Sequence, residues 1–175
     1  QDTNNLKTKV INDLEYESNE FINELGFVNN FKINLKNSNT LGKNSNDYKS
    51  SPQIELMSLF EFTSSLPLIN QKNQYSNILT PKASIRLNPS DMKNYSTSEK
   101  NINVDNLFSV NRLGLDDSFE KGKSLTIGFD YKKEKLNNIN NYFEFKLGTV
   151  LRDKREEFIP RKSSLNEKHS NIFGS

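Results

Sequence analysis

The chain of 175 residues has a net charge of only +2, so it lacks the one-signed electrostatic field that favours a nucleic-acid partner. Only 33% of its residues are apolar, yet it contains 12 Phe and 6 Tyr, and this combination excludes ordinary intrinsic disorder. A sheet with one apolar face and one polar face satisfies both constraints, because half of each strand can then remain polar.

Alternation of apolar and polar residues with a period of two is the dominant pattern along the chain. It is clearest near the C-terminal end, where Leu125, Ile127 and Phe129 fall on one face of a strand. Phe143 and Phe145 repeat the pattern in the next strand. In chain order, the sequence predicts about seven strands, over residues 10–18, 21–37, 54–66, 78–89, 104–115, 124–133 and 142–153.

Cationic residues recur on the polar faces of two of these predicted strands, at Lys82, Arg86, Lys146 and Arg152. In a barrel these faces would line the lumen, where the cations would contact anionic groups of a passing substrate. The alternative is a solvated face whose charges are balanced by residues such as Asp130 and Glu144. The sequence leaves both interpretations open.

Strand length and connection length both favour an outer-membrane barrel. No window approaches the roughly 20 apolar residues of a membrane helix, whereas ten tilted strand residues span roughly 23 Å, near the apolar band of a barrel. Short and longer connections also alternate: residues 18–20 and 116–122 are predicted to be short, 67–76 intermediate, and the rest longer, at 37–52, 89–103 and 133–141. About seven strands would leave two open edges, so a closed barrel must include more chain.

Residues with potential chemistry do not form a catalytic pattern. The single histidine, His169, lies in a polar stretch and is interpreted as a surface or turn residue. The adjacent Asp116 and Asp117 favour a turn over a metal site. Cysteine is absent, which excludes a disulfide scaffold or thiolate metal site. The sequence therefore predicts no enzyme, metal site or cofactor.

The segment NVDNLFSVNRLGLDDSFEKGKSLTIGFDY, residues 103–131, resembles a motif region in the barrel domain of LptD proteins. Neighbouring segments over 78–175 follow the order of elements in that family, whereas 1–77 share only its general pattern. The chain departs from many relatives at Gly114, Leu115 and Ser118. The resembling positions are Asn106, Leu107, Phe108, Asn111, Arg112, Asp117, Glu120, Gly122, Leu125, Gly128 and Tyr131.

The resemblance implies an all-β fold of antiparallel up-and-down strands that form part of a large outer-membrane β-barrel. Residues 1–175 would be an internal piece of that barrel domain, without a leader at Gln1 and without the family's N-terminal jellyroll domain. The family assembles lipopolysaccharide into the outer leaflet of the Gram-negative outer membrane. Its implied partners are lipopolysaccharide, an LptE-like plug lipoprotein, and a periplasmic Lpt bridge that reaches the barrel through the absent N-terminal domain.

A soluble β-sandwich or adhesin-like binding module is the alternative, because its strands would show the same alternation with the apolar face packed against a second sheet. If the barrel interpretation holds, Leu125, Ile127, Phe129, Phe143 and Phe145 face lipid, whereas Lys82, Arg86, Lys146 and Arg152 face the lumen.

Overall fold

The structure, a computed structural model, describes residues 5–175, with the side chain of Ile139 left out. The expectation about a leader at Gln1 therefore lies outside the described residues. Within them, no helix is long and apolar enough to cross a membrane, and a single 3-10 turn spans Arg161–Ser163. The strands are β1 Leu6–Glu17, β2 Phe21–Ile22, β3 Val28–Lys43, β4 Gln53–Ser65, β5 Leu68–Lys72, β6 Tyr75–Asn88, β7 Gly122–Lys135, β8 Asn138–Arg152 and β9 Phe173–Gly174.

All nine strands belong to one antiparallel sheet with the order β1-β3-β4-β6-β7-β8-β9. The short β2 continues the line of β1 beside β3, and β5 continues the line of β4 beside β6. Sequential long strands are therefore neighbours, which confirms the predicted all-β, up-and-down arrangement. Within the described residues the sheet is open, with β1 at one edge and β8, which pairs with β9 only near Leu147 and Gly148, at the other.

One predicted strand, residues 104–115, is wrong. These residues lie in a long connection between β6 and β7, residues 89–121, here called the covering loop. Asparagine side chains divert its backbone into local turns: the amide N–H of Leu115 donates to Asn111 Oδ1, and those of Asp105 and Asn106 donate to Asn103 Oδ1. These local bonds replace the strand pairing that the apolar pattern had indicated.

Short and long connections do alternate, although at other places than predicted. The hairpins at 73–74 and 136–137 have two-residue turns, so the intermediate connection predicted at 67–76 and the longer one predicted at 133–141 are wrong. Asn73 and Gln74 have φ values of +50° and +66°, the left-handed pair that matches hairpin twist. The predicted short connection at 116–122 is the end of the covering loop. Tight turns thus meet at one end of the sheet and longer segments at the other.

The covering loop packs against one face of the sheet, here called the covered face, together with residues 153–170. Polar side chains are buried there: Asn34, Lys36, Ser38, Glu61, Ser84, Arg86, Asn88, Ser124, Thr126 and Arg152. Two small apolar clusters hold the layers together. One is formed by Met92, Ile102, Leu107, Leu113, Leu115, Val150, Ile159 and Leu165, and the other by Met57, Leu59 and Phe119.

The opposite face, here called the open face, is apolar and largely uncovered by the described residues. Its exposed side chains include Leu14, Ile33, Leu56, Phe60, Ile85, Ile127 and Phe143. A soluble sheet buries its apolar face and exposes its polar one. This sheet does the reverse, which is the main feature that its function must explain.

Candidate functional site

Five charged side chains meet beneath the covering loop. The sheet supplies Glu61 from β4, Arg86 from β6 and Arg152 from β8, and the loop supplies Arg112 and Glu120. None of the five side chains is more than 7% exposed. We call this group the arginine–glutamate cluster.

Strand register brings the three sheet residues into one row. Glu61 pairs with Arg86 across β4 and β6, Arg86 pairs with Ser124 on β7, and Ser124 pairs with Arg152 on β8. Because residues that are paired across antiparallel strands point to the same face, all four side chains point to the covered face. The small Ser124 leaves room between the two arginines for the loop residues.

The carboxylate of Glu120 is the centre of the cluster. Arg112 binds both of its oxygens, with Nη2 at 2.6 Å from Oε1 and Nε at 2.7 Å from Oε2. Arg152 Nη1 donates to Oε1, and Arg86 Nη1 lies 3.5 Å from Oε2. Three guanidinium groups therefore surround one carboxylate. The bidentate contact from Arg112 is a stronger geometry than the single contacts from Arg152 and Arg86.

The cluster keeps Glu120 ionised. Burial raises the pKa of this carboxyl, but the positive charge and hydrogen bonds of Arg112, with the charges of Arg152 and Arg86, outweigh burial and lower the pKa to about 2. Arg86 also forms an ion pair with Glu61, with 2.8 Å between Nε and Oε2. Three arginines and two glutamates leave the cluster with one excess positive charge.

The same arginines also bind the backbone of the covering loop. Arg86 Nη2 donates to the carbonyl oxygens of Ser109, at 3.1 Å, and Val110. Arg152 Nη2 donates to the carbonyl of Lys121. From the loop side, Arg112 Nη1 donates to Thr126 Oγ1 at 2.9 Å. The cluster therefore holds the middle and the end of the loop on the sheet.

A pair of glycines provides a second attachment point. Gly128 and Gly148 face each other across β7 and β8. A Cβ atom at Gly148 would lie 2.4 Å from Leu107 Cδ2, and one at Gly128 would lie 3.3 Å from Phe108 Cε2 and 2.4 Å from the carbonyl oxygen of Leu147. The absence of side chains here lets the loop approach the sheet backbone closely.

Asp117 provides a third attachment, toward the other edge of the sheet. Its carboxylate accepts hydrogen bonds from Lys9 on β1, from the hydroxyl of Tyr95 and, at 3.2 Å, from Lys93. Burial raises its pKa, but these donors lower it to about 2. On β3, Lys36 Nζ donates to the carbonyl oxygen of Asp116 at 2.9 Å. No group of three or more metal-ligating side chains occurs among residues 5–175.

A comparison with protein-family models matches residues 13–175 to LptD, the LPS transport system D family. The chain belongs to the LptD family. No curated protein matches the chain. The match covers essentially the whole chain, so it confirms the resemblance that was seen in residues 103–131. As a member of this family, the chain has a role in lipopolysaccharide transport at the Gram-negative outer membrane.

The four cations singled out in the sequence all lie on the covered face of this LptD-family sheet. Only Arg86 and Arg152 enter the cluster. Lys82 forms an ion pair with Asp130 on the sheet and lies 5.8 Å from the centre of the Phe108 ring. Lys146 binds Asp105 of the covering loop, at 2.9 Å, and Glu144, at 3.1 Å. The five apolar residues singled out, Leu125, Ile127, Phe129, Phe143 and Phe145, lie on the open face.

Sequence reasoning missed Glu61, Arg112 and Glu120 as site residues. Arg112 and Glu120 were noted only as positions of family resemblance. The signal for Arg112 and Glu120 was weak, because they stand in a mostly polar segment that carries other charges, such as Asp116, Asp117 and Lys121. Charged residues in an apolar segment are typical of buried pairs. Glu61 shows this pattern, because it lies between Phe60 and Phe62.

We expect Arg112→Met to destabilise the folded protein by about 3–5 kcal/mol, because it removes the main partner of a buried carboxylate. The matched control is Arg155→Met, which breaks an ion pair with Glu167 at a side chain that is 73% exposed and should change stability by about 0–1 kcal/mol. Denaturant unfolding of the two variants measures the difference. Equal, small losses would show that the cluster does not hold the loop.

Proposed function

We propose that this chain forms part of the wall of a large outer-membrane barrel, within the translocon that assembles lipopolysaccharide into the outer leaflet. The observation that carries the proposal is the inverted arrangement of the sheet, with apolar side chains exposed on one face and charged ones buried on the other. In a bilayer, an exposed apolar face contacts lipid and a polar face lines the barrel interior. The proposed role is transport rather than catalysis.

Strand length supports a membrane-spanning wall. The six long strands β1, β3, β4, β6, β7 and β8 contain 12 to 16 residues, well above the average of about 5–6 in soluble sheets. Strands of at least 9–11 tilted residues can cross a bilayer. The open edges at β1 and β8 are the places where neighbouring wall strands would pair, since unpaired backbone groups are costly in lipid.

The open face would contact lipid through Leu125, Ile127, Phe129, Phe143 and Phe145. Rings on β7 and β8 support each other there: Phe129 and Phe145 have centroids 5.9 Å apart, and Tyr131 and Phe143 are 6.3 Å apart. The covered face, with Lys82, Arg86, Lys146 and Arg152, would line the lumen. The covering loop would then lie inside the barrel and narrow it.

The soluble β-sandwich is less well supported. A sandwich packs two sheets through their apolar faces. In residues 5–175 the second layer is instead a loop, and it packs on the polar face. An LptE-like plug lipoprotein and a periplasmic Lpt bridge remain proposed partners, and family membership is their only support.

The lengths of the connections support one orientation of the strands in the membrane. Barrels of the outer membrane have short turns on the periplasmic side and longer loops outside. We therefore infer that the turns at 73–74 and 136–137 face the periplasm. The connection at 44–52 and both ends of the covering loop then lie toward the cell exterior.

Substitution Ile127→Arg tests the lipid-facing assignment, because Ile127 lies near the middle of β7 on the open face and is 40% exposed. We expect a loss of about 2–4 kcal/mol, the cost of Arg near the bilayer midplane. The amount of folded barrel in the outer membrane and the amount of lipopolysaccharide at the cell surface should therefore both decrease. The matched control is Leu136→Arg in the turn, where Leu136 is 47% exposed. If both variants assemble equally well, the open face does not contact lipid.

Single cysteines test the orientation, since the 175 residues contain none. Asn46→Cys should react with a membrane-impermeant maleimide on intact cells, because residue 46 lies in the connection assigned to the exterior. Asn137→Cys should react only after the outer membrane is permeabilised. The reverse pattern of labelling would show that the strands have the opposite orientation. It would not contradict the proposal that they form a barrel wall.

A further inference from the structure

The covering loop brings its own anion to the sheet. Glu120 lies at the end of the loop, and two of its three guanidinium partners, Arg86 and Arg152, belong to strands. The third partner, Arg112, is on the same loop, so the Arg112–Glu120 pair is neutral by itself and can leave the sheet as a unit. The ionic contact between loop and sheet at this point therefore depends on one carboxylate, while hydrogen bonds from Arg86 and Arg152 to loop carbonyls supply the neutral contacts.

Without the loop, the row of Glu61, Arg86 and Arg152 on the sheet would carry one excess positive charge. Arg86 would retain its ion pair with Glu61, but the ion pair that Arg152 makes in the described residues is with Glu120. The Nε atom of Arg152 is already a buried donor without a hydrogen-bond partner. A guanidinium in this state favours an oxyanion, because its planar fork matches the geometry of carboxylate and phosphate.

The fit between loop and sheet also contains unsatisfied polar atoms. Buried side-chain atoms on the covered face lack hydrogen-bond partners at Asn34 Nδ2, Ser38 Oγ and Ser84 Oγ. Each such atom costs free energy that a well-paired interface would not lose. The loop rejoins the sheet at Gly122, whose φ of +91° is a conformation that glycine adopts easily. The interface between the loop and the sheet is therefore not fully hydrogen-bonded.

We propose that Arg86 and Arg152 form a binding site for an oxyanion of the phosphate or carboxylate class, which Glu120 occupies in this structure. An anionic group of the transported glycolipid takes the place of Glu120 when the loop moves off the sheet. This inference rests on the proposed function for the identity of the ligand. The site itself, the guanidinium groups of Arg86 and Arg152 on the sheet beside one carboxylate from the loop, does not depend on it.

The first experiment uses the full-length protein in detergent and inorganic phosphate as the probe. In Glu120→Gln the place of the carboxylate is held by a neutral amide, so phosphate should raise the unfolding temperature by about 2–4 °C over chloride at equal ionic strength. The matched control is Glu99→Gln, in the same loop, where the side chain is 77% exposed and bonded to Lys162. It should show no phosphate-specific rise.

The double variant Glu120→Gln with Arg152→Gln assigns the effect to the sheet. The proposal expects the phosphate-specific rise to disappear in it. Absence of the rise in Glu120→Gln, or its persistence in the double variant, would overturn the site. If Glu120→Gln folds only when phosphate is present, that dependence also supports the site. If it folds in neither salt, the experiment on the wild-type protein tests the site instead.

The wild-type experiment compares intact lipopolysaccharide with the same lipopolysaccharide after enzymatic removal of its phosphates. If phosphate groups replace Glu120, trypsin should cut the covering loop, for example at Lys100, several times faster with the intact form. Equal rates would overturn the exchange with substrate, even where inorganic phosphate acts on Glu120→Gln. The proposed function is tested separately by the surface assay of Ile127→Arg, so the two failures are distinguishable.

Discussion

The structure depends on how two arginines on the sheet, Arg86 and Arg152, are neutralised beneath a loop that excludes water. An unpaired buried guanidinium would be costly, and Glu120 removes that cost by contacting both while Arg112 holds it in place. The loop can therefore cover a polar face, while the apolar face of the sheet stays exposed. The inverted pattern of burial follows from this one arrangement.

Charge and packing have separate roles in holding the covering loop. Leu107 and Phe108 pack where Gly128 and Gly148 expose the sheet backbone, and burial of their apolar side chains stabilises the loop there. Buried ion pairs add little net stability compared with apolar residues of similar volume, but they fix geometry. The arginine–glutamate cluster thus sets where the loop sits, and it leaves an attachment that another anion could replace.

Much of the sheet could be predicted from the sequence, because alternation along segments such as 124–133 depends only on local residues. The covering loop could not. Its apolar residues Leu107, Leu113 and Leu115 resemble a strand, and only the asparagine-bonded turns and the distant contact with Val150 give them another structure. Likewise, Arg86 and Arg152 were predicted on one face, but their meeting with Glu120 depends on a loop path that no local pattern encodes.

The most direct test is a nitroxide scan of residues 125–132 on β7 in the full-length protein in bilayers. The account predicts that odd-numbered positions, including 127 and 129, are accessible to lipid-dissolved oxygen. The even-numbered positions 126, 130 and 132 should be protected from oxygen, and position 126, which the covering loop buries, should also be protected from a water-soluble nickel reagent. Uniform accessibility, or oxygen access at the even-numbered positions, would contradict the inverted sheet and the function built on it.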